Sequence, residues 1–147
     1  MVRAAESLMP VRLLVVGTLF FTLGSSWACS HRPFGPSAVA PGVWGGDHII
    51  MTVADTATHV EFDCANGDIA GAFTVDTDGQ FTAVGTFVRE HGGPIRVDET
   101  PDSHSASYAG SVSANTMTLT VRLSDSSEAI GTFALTRGTP GRVVKCL

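Results

Sequence analysis

Three cysteines, five histidines and a scatter of carboxylates are the residues here with the chemistry to act, and their spacing limits what they could do. Cys64 sits in Val60-Glu61-Phe62-Asp63-Cys64-Ala65-Asn66-Gly67-Asp68, at the end of an alternating run. A nucleophilic cysteine needs a cation or a helix N-terminus to lower its pKa, but Glu61 and Asp63 beside it would raise it. Zinc would need further thiols or spaced histidines, and no Cys-x-x-Cys occurs. A disulfide with Cys146 is the remaining use. It would close a loop of about 80 residues, worth roughly 4 kcal/mol in the chain-entropy account.

The other constellations are weaker. Glu61 and Asp63, with His59 nearby, could serve acid–base chemistry or bind calcium if they faced a cavity. With Val60 and Phe62 pointing inward they are expected to face water. Asp102-Ser103-His104 holds the residue types of a triad, but adjacent residues cannot converge as a triad does. His91, in Arg89-Glu90-His91-Gly92-Gly93-Pro94, leaves a strand and enters a turn, so Glu90 and His91 are expected on a rim loop. Trp44 is read either as a plug for the barrel core or as a stacking surface for a ligand at that rim. No metal ligand set, cofactor motif or catalytic residue set is expected.

The elements that must carry these residues are strands. Ile49, Met51 and Val53 alternate with Ile50, Thr52 and Ala54; Phe81, Ala83, Gly85 and Phe87 alternate with Thr82, Val84, Thr86 and Val88. In Thr116-Met-Thr-Leu-Thr-Val-Arg-Leu123 the apolar residues all fall on one face. Turn signals stand between the runs: Asn66-Gly67, Asp78-Gly79, Gly92-Gly93-Pro94 and Ser113-Ala114-Asn115. The expected fold is all-β, a small closed up-and-down antiparallel barrel of about eight strands over residues 43–147. Strand-interior glycines at 71, 85, 110 and 131 would allow its bends. A β-sandwich is the alternative. Phe62, Phe73, Phe81, Phe87, Met117 and Phe133 would fill such a barrel, because eight strands enclose little more than their own side chains.

Upstream, Arg3 and Arg12 precede a charge-free, mostly apolar stretch from Leu13 to Leu23, and Ser26-Trp27-Ala28 follows. This is the layout of a secretory signal over residues 1–28. Its loss would leave 7 of the 9 basic and 13 of the 14 acidic residues, a formal charge of -6, so nucleic acid is not an expected partner. Cys29 would then stand where exported lipoproteins carry an acylated cysteine, with ordinary cleavage as the rival outcome. Residues 29–42, rich in Pro and Gly, read as a tether or a segment draped on the domain.

The run Tyr108 to Gly138 resembles the closing hairpins of lipocalin-like and avidin-like barrels. Trp44-Gly-Gly-Asp-His-Ile-Ile-Met51, Val60-Glu-Phe-Asp-Cys-Ala-Asn-Gly67, Arg89-Glu-His-Gly-Gly-Pro-Ile-Arg96 and Val143-Val-Lys-Cys-Leu147 together resemble a family of small exported bacterial proteins. That resemblance implies a barrel in the periplasm, at the outer membrane or outside the cell, and brings no activity with it. Three functions follow as expectations. The first is a non-catalytic barrel, lipid-anchored or free, that binds a small apolar ligand or a protein partner. The second is a structural or inhibitor-like envelope protein with a solid core. The third is a hydrolase-type enzyme using Glu61, Asp63 and His91.

Overall fold

The computed structural model describes residues 35–94 and 96–146. The expected signal at 1–28 and the expected lipidation site, Cys29, lie outside the described residues.

Among the described residues ten strands form, the longer ones where alternation is clearest: β1 Ser37–Ala38, β2 Gly42–Gly46, β3 Ile49–Val53, β4 Ala57–Phe62, β5 Ala65–Ala70, β6 Thr74–Val75, β7 Gln80–Arg89, β8 Asp102–Ser113, β9 Thr116–Leu123 and β10 Ala129–Arg137. Eight close into an antiparallel barrel in the order β10-β2-β3-β4-β5-β7-β8-β9, while β1 and β6 pair as a separate ribbon. Neighbours in sequence are neighbours in space, the up-and-down pattern. Closure removes the exposed edges that an open sheet of these strands would present.

Period two decides what faces inward. Trp44, Ile49, Met51, Val60, Tyr108, Leu119 and Val121 are fully buried, and Phe62, Phe73, Phe81, Phe87 and Met117 nearly so. Phe62 stacks at a tilt on both Phe87 and Phe133, with ring centroids 5.3 and 5.4 Å apart. Phe73 meets Phe81 edge-on at 4.8 Å. The interior is packed side chain, as expected for an eight-stranded barrel. Thr58 shares this core, and its buried hydroxyl has no hydrogen-bond partner among the described residues.

One local expectation changes, and two that were left open resolve. The hairpin turn between β4 and β5 is Asp63-Cys64, not Asn66-Gly67: Phe62 pairs with Ala65, and Asn66 and Gly67 lie within β5. Gly67 serves close packing instead. A Cβ there would lie 2.2 Å from the Tyr108 hydroxyl, which donates to Thr86 O at 2.6 Å. That hydroxyl fills a gap where β5 and β7 part, since they pair only at Ala65–Arg89 and Asn66–Val88. Burial, with the charge of Asp68 behind it, pushes the phenol pKa upward.

Trp44 is core rather than rim. It is fully buried, faces inward between Met51 and Arg137 in register, and donates Nε1–H to Ala40 O at 3.2 Å. A side chain sealed in this way offers no surface for ligand stacking. The stretch read as tether or draped segment is draped over residues 37–42. Val39 is buried and donates its N–H to Phe73 O at 2.8 Å, and Gly42 already begins β2.

Candidate functional site: a strapped, charged rim

One end of the barrel gathers the turn Asp47-His48, the turn Asp63-Cys64, the loop from Glu90 to Pro101 and the loop from Ser124 to Glu128. Residues 138–146 start near the other end, where Gly138 N–H donates to Val43 O at 2.8 Å, pass beside Gly45, and cross this rim from Arg142 to Cys146. A barrel over residues 43–147 would extend strand structure through Val144 and Cys146. The segment forms an irregular strap instead, with only isolated bridges from Arg142 to Asp47 and Ile49. Val144 is 61% exposed and only Val143 beside it is half-buried, too little apolar burial to hold the segment in a sheet. Gly141, at a φ of 70° that disfavours other residues, turns the chain.

The strap stitches successive hairpin ends. Arg142 N–H donates to Gly46 O at 3.0 Å and His48 N–H to Arg142 O at 2.8 Å. Cys64 N–H donates to Val144 O at 3.2 Å, and Val144 N–H donates to Asp63 Oδ1 at 2.6 Å. Lys145 Nζ lies 3.3 Å from Glu61 Oε2 and 3.5 Å from Glu90 Oε2. The Cys64–Cys146 disulfide ends the run, with α-carbons 5.0 Å apart. It fastens the strap to the β4–β5 turn.

Magnitudes show what holds the strap down. Five backbone hydrogen bonds, the three above with Gly138 N–H to Val43 O and Thr139 N–H to Thr136 O, give about 0.5–1.5 kcal/mol net each against an ordering cost of roughly 1–2 kcal/mol per residue over the whole segment. Exposed ion pairs add little. Only Gly141 and Val143 are half-buried, so the covalent bond carries much of the fastening.

Histidines at this end are each bound by carboxylates. His48 Nδ1 meets Asp63 Oδ2, so Asp63 holds the strap with one oxygen and the β2–β3 turn with the other. The Val144 amide first, then His48, keep the Asp63 carboxyl below its usual range. His91 bonds Gly92 O through Nδ1 and Glu99 through Nε2. The carbonyl and then the carboxylate raise its pKa, while the Arg96 amide and His91 lower that of Glu99. His104 lies between Asp125 at 2.6 Å and Asp102 at 3.0 Å, which raises its pKa; Asp125 is lowered in return. On the barrel wall His59 Nδ1 meets Asp68 at 2.7 Å, directly across the β4–β5 pair.

An open concavity of about 500 Å³ lies within this rim, lined by Asn66, Arg89, Glu90, His91, Glu99 and Cys146 among others. Asn66 Nδ2–H donates to Glu90 Oε1 at 2.7 Å, and Arg89 Nη2 reaches both oxygens of Glu128 at 2.8 Å. Glu90 and His91 are therefore at the rim as expected, with Glu90 half-buried and His91 exposed.

Glu61, Asp63 and His91 do not converge. Glu61 pairs with Lys145, Asp63 with His48 and Val144, and His91 with Glu99. Both ring nitrogens of His91 and of His104 are already taken by acceptors, which leaves neither free to shuttle a proton. Among the described residues no three His, Cys, Asp or Glu side chains are grouped to hold a metal ion.

Sequence reasoning missed His48, Glu99, Asp125 and Lys145 as rim residues. The His59–Asp68 pair would have followed from the correct turn, since a turn at 63–64 sets 59 opposite 68. The others join residues that no local pattern connects. No family model, curated protein or solved structure matches the chain.

Proposed function

We propose that this chain is an exported, non-catalytic barrel protein that docks a protein partner on its strapped rim, in the manner of a structural or inhibitor-like envelope protein. One observation carries the reading: the barrel interior is occupied by its own side chains, from Trp44 and Tyr108 to Phe62 and Phe87. An apolar ligand would have to displace that core. The rim, by contrast, offers a concave, polar surface whose side chains are fixed by mutual pairing and a disulfide. Such preorganisation lowers the cost of association. The disulfide also suits an oxidising compartment, which supports export. In this reading any membrane attachment runs through a lipid on Cys29.

Site-specific photocrosslinking tests it. A photoreactive residue at Val97, fully exposed on the rim loop, should trap one protein in cells making the native chain. The same residue at Asn115, in the exposed turn at the opposite end, should trap none. Native mass spectrometry of the purified protein should show no non-covalently bound ligand. A stoichiometric apolar ligand, or crosslinks from Asn115 alone, would overturn the reading.

A further inference from the structure

The strap has the construction of a latch. Arg142, Val144, Lys145 and Cys146 are all exposed, the hydrogen bonds of residues 142–146 lie at the rim, and Gly138 and Gly141 adopt left-handed backbone at its root. None of the eight barrel strands lies within it, and the core is complete without it. The two sulfurs are not equivalent. Cys64 is half-buried in its turn, with its N–H given to Val144 and its carbonyl accepting from Glu90 N–H. Cys146 is exposed and lines the open concavity.

We infer that the Cys64–Cys146 disulfide is a redox latch: a dithiol reductant entering the rim concavity opens it at Cys146 and frees the strap while the barrel stays folded. The thiolate of the dithiol attacks Cys146 Sγ, the Cys64–Cys146 bond breaks, and Cys64 leaves as thiolate. The second thiol of the reductant attacks the resulting mixed disulfide. Cys146 then leaves as thiolate, and the reductant closes to its own disulfide. Two electrons pass to the protein, and the protons of the dithiol end on the two cysteines. Release withdraws Lys145 from between Glu61 and Glu90 and the Val144 amide from Asp63, so the rim becomes locally more acidic. The latch stands whatever the rim binds.

Hydrogen exchange read by mass spectrometry decides the matter, comparing the oxidised protein with the same sample held in dithiothreitol. Alkylation must first confirm that both thiols are free. Protection should be lost at the amides of His48, Cys64, Arg142 and Val144, and kept across β7, β8 and β9. Undiminished strap protection after full reduction would overturn the latch. Parallel loss of protection in β7–β9 would overturn it too, showing that the bond holds the barrel itself together. The double variant Cys64→Ala/Cys146→Ala should reproduce the reduced pattern and ignore dithiothreitol; oxidised-like protection in that variant would count against the proposal.

Discussion

The two ends of the barrel are closed by different physics. At one end the β1–β6 ribbon lays Val39 and Phe73 over the core, with Phe73 stacked on Phe81. That seal is apolar burial, which neither protons nor reductants alter. At the other end the Phe62, Phe87 and Phe133 cluster lies beneath a rim held by His–carboxylate pairs and one disulfide. Those fastenings are built from titratable and reducible groups. A single barrel thus has an end sealed by apolar burial and an end fastened by groups that protons and reductants can change, and the proposed docking surface lies on the second.

Mutations can test that contrast. The largest effect is expected at the ribbon end, where Phe73→Ala removes a nearly fully buried ring and should cost about 3–5 kcal/mol in chemical denaturation. A loss much below that would mean the ribbon is an accessory and not a seal. Thr58, in β4 towards the same end, gives a smaller effect of opposite sign. Its orphaned hydroxyl is destabilising, so Thr58→Val should raise stability by about 1 kcal/mol. A destabilised variant would point to a buried partner for the hydroxyl.

The rim should respond locally instead of globally. His91→Ala should leave the melting temperature where it is, because the ring is exposed and tethers only the loop from Glu90 to Pro101. A large drop in thermal scans would place His91 in the global fold. The smallest effect is the pH dependence of that loop. His91 is raised above its ordinary 6.5, so its contribution is full below 6.5 and fades as pH climbs through the raised value. Glu99 is lowered from 4.5, so its contribution is full above 4.5 and fades as pH falls through the lowered value. Backbone relaxation measured by NMR should show the loop best ordered between pH 4.5 and 6.5. Order that is flat from pH 5 to 9 would remove the rim's distinction from the ribbon end.

What the chain by itself determined follows from its period. Alternation at Ile49–Val53, Phe81–Phe87 and Thr116–Leu123 fixes which side chains face inward, because a pleated strand points successive residues to opposite faces whatever it pairs with. From that came the all-β class and a barrel filled by its phenylalanines; the pairing of Cys64 with Cys146 came instead from the cysteine count and from the chemistry that the neighbours of Cys64 exclude. What only the tertiary structure decided depends on register between distant strands. Gly67 reads locally as a turn, but the Tyr108 ring that requires it lies three strands later in the chain. Trp44 reads as a core plug, with a stacking role as the alternative, until Met51 and Arg137 enclose it. His91 with Glu99 and His104 with Asp125 are joined by loop geometry that no alternation encodes, and the strap lies where it does because a covalent bond holds it there. Local sequence sets the face of each strand; closure of the barrel decides which loops meet at its end.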